Sequence, residues 1–214
     1  MEGMQAYNRG DFSTALRLLR QGMQAGDSEA QVNLGYLYAR GHGVREDQQE
    51  ALRLYQLSAD QGNSEGMNAV GYKYLFGTGV RVDAVKAVHW FCLAIGQGNP
   101  RAMNNLAQML GSGSYVMRDE AEARSLWEQS AKLGHANSMM NLGMSYLRGT
   151  ERDPIKGQDW MIRAAKSGQP DAQRMHLAQG YRGTFPPSFI EGIAMIPAPR
   201  HEGGHAKICG ELLS

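Results

Sequence analysis

The chain has 214 residues, with 22 lysines and arginines against 21 aspartates and glutamates for a formal net charge of +1, and 42% hydrophobic against 20% charged residues. This composition excludes a disordered chain, and the charge balance gives no electrostatic case for nucleic acid or an anionic membrane as the main partner. No apolar run approaches the roughly eighteen residues that span a bilayer. Cys92 and Cys209 stand far apart and outside any metal-like spacing, so no disulfide framework is expected.

In chain order, Met1 to Gly10 lack the basic start and apolar core of a secretory signal. The protein is therefore expected to be cytoplasmic if this is the native N-terminus, and periplasmic or secreted if a signal has been removed. The opening residues read as a helix and begin a short unit marked by Tyr7, Gly10, Asp11, Ala15 and Gly26. From Ala30 the sequence repeats at steps of 36 residues, through Gly66, Ala102 and Ser138. Internal columns hold the same register: Gly35, Gly71, Ala107 and Gly143, then Gly41, Gly77, Gly113 and Gly149. Asp47, Asp83 and Asp119 follow, with Tyr55, Phe91 and Trp127 after them and Gly62, Gly98 and Gly134 closing each unit. The fourth unit is two residues shorter, with Asp153 and Gly168 in the corresponding places, and a last half-unit starts at Ala172 and fades after Gly183. A fixed period of this length is the mark of a repeat array.

Each unit reads as two helices. The first, over Ala30 to Ala39, carries Ala30, Leu34, Leu37 and Tyr38 at helical spacing, and the second, over Asp47 to Asp60, carries Ala51, Leu54, Tyr55 and Ala59. The aspartate column sits where a helix needs an N-cap, and Asp47 to Glu50 and Asp119 to Glu122 have the spacing of capping boxes. Asp153-Pro154 puts proline at the first helical position, and the closing glycines suit left-handed C′ positions. A helical hairpin buries its apolar face only against stacked neighbours.

Residues 30–44, Ala-Gln-Val-Asn-Leu-Gly-Tyr-Leu-Tyr-Ala-Arg-Gly-His-Gly-Val, followed by Asp47 and Ala51, resemble the Sel1-like relatives of the tetratricopeptide repeats. The resemblance covers roughly residues 1 to 180, and Gly66 to Gly98 repeats it. Tyr115 departs from it in place of a loop glycine, and Gly157 in place of an alanine. It implies an all-α, right-handed superhelical solenoid of antiparallel helix pairs, with first helices on the inner, concave face. The array is expected over residues 1–183, with a non-repeat tail over 184–214 that either caps the last apolar face or stays extended.

Chemical motifs are few. Gly41-His-Gly43 and Gly77-Thr-Gly79 lack the preceding strand of a phosphate loop and recur as helix connectors. His201-Glu-Gly-Gly-His205 matches the zinc-protease pattern H-E-x-x-H literally. Its adjacent glycines would cost a helix about 2 kcal/mol, and only nine residues follow to supply a third ligand. Cys92 lies on a helix beside Phe91 and reads as a small buried hydrophobe, while His89 and His176 have no partner at metal spacing. No catalytic set, metal or cofactor is expected.

The most informative polar column is Asn33, Asn105 and Asn141, which Ala69 completes. In tetratricopeptide arrays an asparagine at a comparable place holds a peptide backbone, so the resemblance implies ligand contact. The alternative is that these amides bridge adjacent helices. Tyr36, Tyr72, Lys73 and Gln108 are the expected neighbours on the same face. The resemblance implies a protein-interaction module, an adaptor or scaffold holding a peptide or protein on its concave face. An immunity protein neutralising a secreted bacterial toxin is the alternative within binding. A hydrolase, a label some relatives carry, is the disfavoured alternative of another class.

Overall fold

The computed structural model describes residues 2–178 and 209, and among these every regular element is an α-helix. α1 (Glu2–Asn8) and α2 (Phe12–Gln24) form the short first pair. α3 (Ser28–Arg40) and α4 (Gln48–Asp60), α5 (Ser64–Phe76) and α6 (Ala84–Gly96), α7 (Pro100–Ser112) and α8 (Glu120–Lys132), and α9 (Ala136–Arg148) and α10 (Pro154–Lys166) follow. α11 (Pro170–Ala178) opens the half-unit.

The aspartate column starts the second helices as expected. The Asp47 carboxylate accepts the N–H groups of Gln49 and Glu50 at 3.0 and 2.9 Å, a cap that contributes about 1 kcal/mol. The capping box is only half made, because the Glu50 carboxylate takes Arg53 at 2.7 Å instead of reaching back to the cap. Asp27 and Asn63 cap the first helices α3 and α5 in the same way. Pro154 occupies the start of α10 behind Asp153, and Gly62 follows α4 at φ +85°, the left-handed closing conformation. Tyr115 adopts φ 65° in the loop where Gly43 and Gly79 stand in the preceding units. A tyrosine there carries steric strain that glycine avoids.

The described chain divides into two compact units, one ending at Asn99 and one beginning at Pro100. In the first, Ala6, Ala15, Leu16, Leu19, Leu34, Leu37 and Leu54 form a continuous core between the helix pairs. The glycine column lets the aromatic column in: a Cβ on Gly35 would lie 2.7 Å from the Tyr55 ring, and one on Gly71 2.7 Å from the Phe91 ring. In the second unit Ala107 occupies that column, and Trp127 finds its room one turn later, where a Cβ on Gly111 would lie 2.9 Å from its ring. Serines tie the two helices of a pair together: Ser58 Oγ donates to the Ser28 carbonyl at 2.8 Å, and Ser130 Oγ to the Pro100 carbonyl at 2.7 Å. Both hydroxyls belong to fully buried residues and are satisfied.

The cysteines correct the sequence expectation. Cys92 is buried in α6 as anticipated, but it and Cys209 are both disulfide-bonded, and no cysteine is free. Separation along a chain bounds no distance in space, and the entropy of closing a loop grows only with the logarithm of its length. The remaining tail expectations, including His201 to His205, lie outside the described residues.

Candidate partner-binding face

The first helices α3 and α5 pack directly on one another as well as on their second-helix partners. On α3, Asn33 is half-buried, and its amide makes no hydrogen bond to the described residues. One turn on, Tyr36 is half-buried, meets Tyr7 edge-on at 5.8 Å and carries the Arg40 guanidinium 5.7 Å from its ring centre. On α5 the same two positions are Tyr72 and Phe76. These rings meet at 4.5 Å with their planes tilted by 43°, and 47% and 57% of their surface is exposed. Phe76 is a functional candidate that the column reading passed over. Its signals were a spacing of four from Tyr72 and its register with Arg40, one repeat earlier.

Lys73 does not share that exposed face. It is 5% exposed, and its ammonium donates to the Gln48 side-chain oxygen and lies 5.8 Å from the Tyr55 ring centre. The reason is its column: one repeat before and one after stand Leu37 and Met109, both core residues. Burial, opposed by the Glu46 charge, pushes the Lys73 pKa below the ordinary lysine value.

In the second unit, Gln108 is exposed on α7 and makes no side-chain hydrogen bond to the described residues. Asn105 is half-buried and has its own interactions. Asn141 on α9 is half-buried, and its amide donates to Asn104 Oδ1 at 2.9 Å. Asn104, 8% exposed, also accepts from Ser138 Oγ at 3.2 Å. At Asn141 the amide thus bridges two repeats, the alternative that the sequence left open. The asparagine one residue earlier, Asn104, is the buried acceptor that anchors it.

Chemically, the first unit's face offers aromatic surface, one guanidinium and the Asn33 amide, which is the composition of an interaction surface. Among the described residues, no group of three or more His, Cys, Asp and Glu side chains is placed to hold a metal ion. None of the described helices is long and apolar enough to cross a membrane.

Paired helices in a constant register, stitched to their neighbours, define the class of α/α repeat proteins. Within that class, the Sel1 repeat profile matches residues 28–63, 64–99, 100–135 and 136–169, so the chain belongs to the Sel1 repeat family. Sel1 repeats are protein-interaction repeats. Among solved structures, a Sel1 repeat protein from Oxalobacter formigenes is 27% identical, with a TM-score of 0.73 over 84% of this chain and 74% of that one. Immunity proteins Pa5087 and PA5088 from Pseudomonas aeruginosa are 24% and 21% identical, with TM-scores of 0.63 for both. They cover 81% and 86% of this chain, and 65% and 72% of their own lengths. A search of curated protein sequences finds no match.

Proposed function

We propose that this protein is an adaptor or scaffold whose first-helix face in the first unit, carried by Asn33, Tyr36, Tyr72 and Phe76, binds a peptide or protein surface. The observation that carries the reading is the Tyr72–Phe76 pair, two touching rings left about half exposed on a first helix. Aromatic side chains of this kind are enriched among the residues that dominate interface energetics. The Asn33 amide supplies a donor and an acceptor for a partner's backbone irrespective of its side chains. A crosslinked pull-down from the source cell's lysate tests this, with wild type beside a helicity-matched Asn33→Ala, Tyr72→Ala, Phe76→Ala variant. Loss of a partner in the variant supports the face, and equal capture by both sinks it.

The toxin-neutralising reading rests on the names of the two Pseudomonas aeruginosa neighbours, whose likeness to this chain is one of fold. It requires a single, very tight partner with an active site to cover. Titration calorimetry against the partner found above separates it from a scaffold, which would hold several partners more weakly.

A further inference from the structure

α2 and α4 are second helices of consecutive units, and each has a cleft against the loop glycine of the unit that follows, Gly43 and Gly79 respectively. The two clefts correspond position by position at the 36-residue step. Leu16 answers to Leu52 and Arg17 to Arg53. At α4 carboxylates are at hand: Arg53, which lines the cleft, donates two hydrogen bonds of 2.7 Å to the neighbouring Glu50, and Asp60 stands at the cleft's far end.

At α2 those acids are gone. Thr14 stands in the place of Glu50 and Gln24 in the place of Asp60, while Arg20 replaces Gln56 and adds a second guanidinium. The open cleft has a volume of about 480 Å³. Among the described residues, Arg17 reaches only the Gln21 amide oxygen, at 3.5 Å, and Arg20 only the Tyr38 hydroxyl, at 3.3 Å. Two like charges three residues apart on one helix face repel, and neutral acceptors leave both guanidinium forks short of the carboxylates they fit best.

We propose that the α2 cleft docks an acidic segment of a protein partner, whose carboxylates occupy the places that Glu50 and Asp60 hold one repeat later. Leu16 gives the segment an aliphatic floor, and the amides of Gln21 and Gln24 give it donors and acceptors for its backbone. The chain's net charge of +1 provides no broad positive field of the kind that phosphate backbones exploit, so the recognition is local to this pair. The cleft lies on a second helix, and the proposal stands apart from the first-helix face.

Fluorescence anisotropy of the full chain with a fluorescein-labelled peptide of alternating Glu and Ala, beside its Gln counterpart, provides the test. The expected result is saturable binding of the Glu peptide, roughly tenfold or more tighter than the Gln peptide. Arg17→Ala with Arg20→Ala should abolish the difference. Thr14→Glu with Gln24→Asp, which rebuilds the α4 arrangement, should abolish it too while circular dichroism stays unchanged. Arg45→Ala with Arg81→Ala, two exposed arginines elsewhere in the same unit, should leave it intact. Equal binding of the two peptides, no binding, or equal losses in all three variants would overturn the proposal.

Discussion

Lys73 is a cation in a column that is otherwise apolar core: Leu37 is 0% and Met109 3% exposed, against 5% for Lys73. Among the described residues no carboxylate forms an ion pair with it and the Glu46 charge only partly opposes its burial, and a buried charge held by a neutral amide is commonly less stable than an apolar residue of similar volume. Lys73→Met should therefore raise stability by about 1 kcal/mol or more, read as a higher denaturant midpoint with an unchanged slope. The pH dependence has a definite sign. Burial lowers the folded-state pKa below the ordinary 10.5, so the penalty is fully present below the folded pKa and fades as pH rises through it toward the unfolded value. The advantage of Lys73→Met should shrink over that window, and an advantage that grows with pH would contradict the account. The asparagines separate in the same kind of experiment. Asn141→Ala breaks the bond to Asn104 and should cost about 1 kcal/mol. Asn33→Ala removes no internal bond and should leave the midpoint in place. The sequence column placed both residues, but whether an amide is spent inside the protein depends on what stands opposite. Asn104, one position off that column, is the residue that decides it for Asn141.

Among the elements, the close approach of first and second helices depends on the glycine column. Gly71→Ala would set a Cβ 2.7 Å from the Phe91 ring, a fully buried side chain with nowhere to move. The expected cost is about 1–3 kcal/mol, seen as a lower thermal midpoint. Gly62→Ala meets nothing within 4 Å and differs only by its positive φ, so it should cost less. The helices themselves were readable because cap, apolar spacing and closing glycine agree in each repeat. Exceptions arose where one residue serves another partner: Glu50 was read as the far side of a capping box, yet it binds Arg53. The Trp127 solution was also hidden, because Ala107 looks like a simple loss of the column glycine. Only the ring's position shows that Gly111 replaces it. Phe76 went unnoticed because its column holds Arg40, Phe76, Ser112 and Arg148, with no shared chemistry.

At the scale of the molecule, the period conveyed the all-helical repeat architecture almost entirely, since every unit restates the same local rules. The disulfide was not readable, because two cysteines without a local motif carry no information about pairing. Thiol titration of the unreduced protein should find no reactive thiol, and titration after denaturing reduction should find two. Reduction should lower stability by about 2–4 kcal/mol. With both cysteines disulfide-bonded, alkylating thiols at the moment of lysis should leave Cys92 and Cys209 unmodified. Two alkylated cysteines would contradict the disulfide. Exposure was partly readable: the columns pick out the exposed Tyr72 and Gln108 and the half-buried Tyr36, and they do not reveal that Lys73 is buried, because one step around a helix separates surface from core.

The most direct measurement is photocrosslinking in the source cell, with a benzoylphenylalanine placed at position 72 on the first-helix face and, separately, at position 133, where Leu133 is 58% exposed at the end of α8. The account predicts defined protein adducts from position 72 and none from position 133. Adducts of equal yield from both positions, or from position 133 alone, would contradict the claim that first helices form the partner surface.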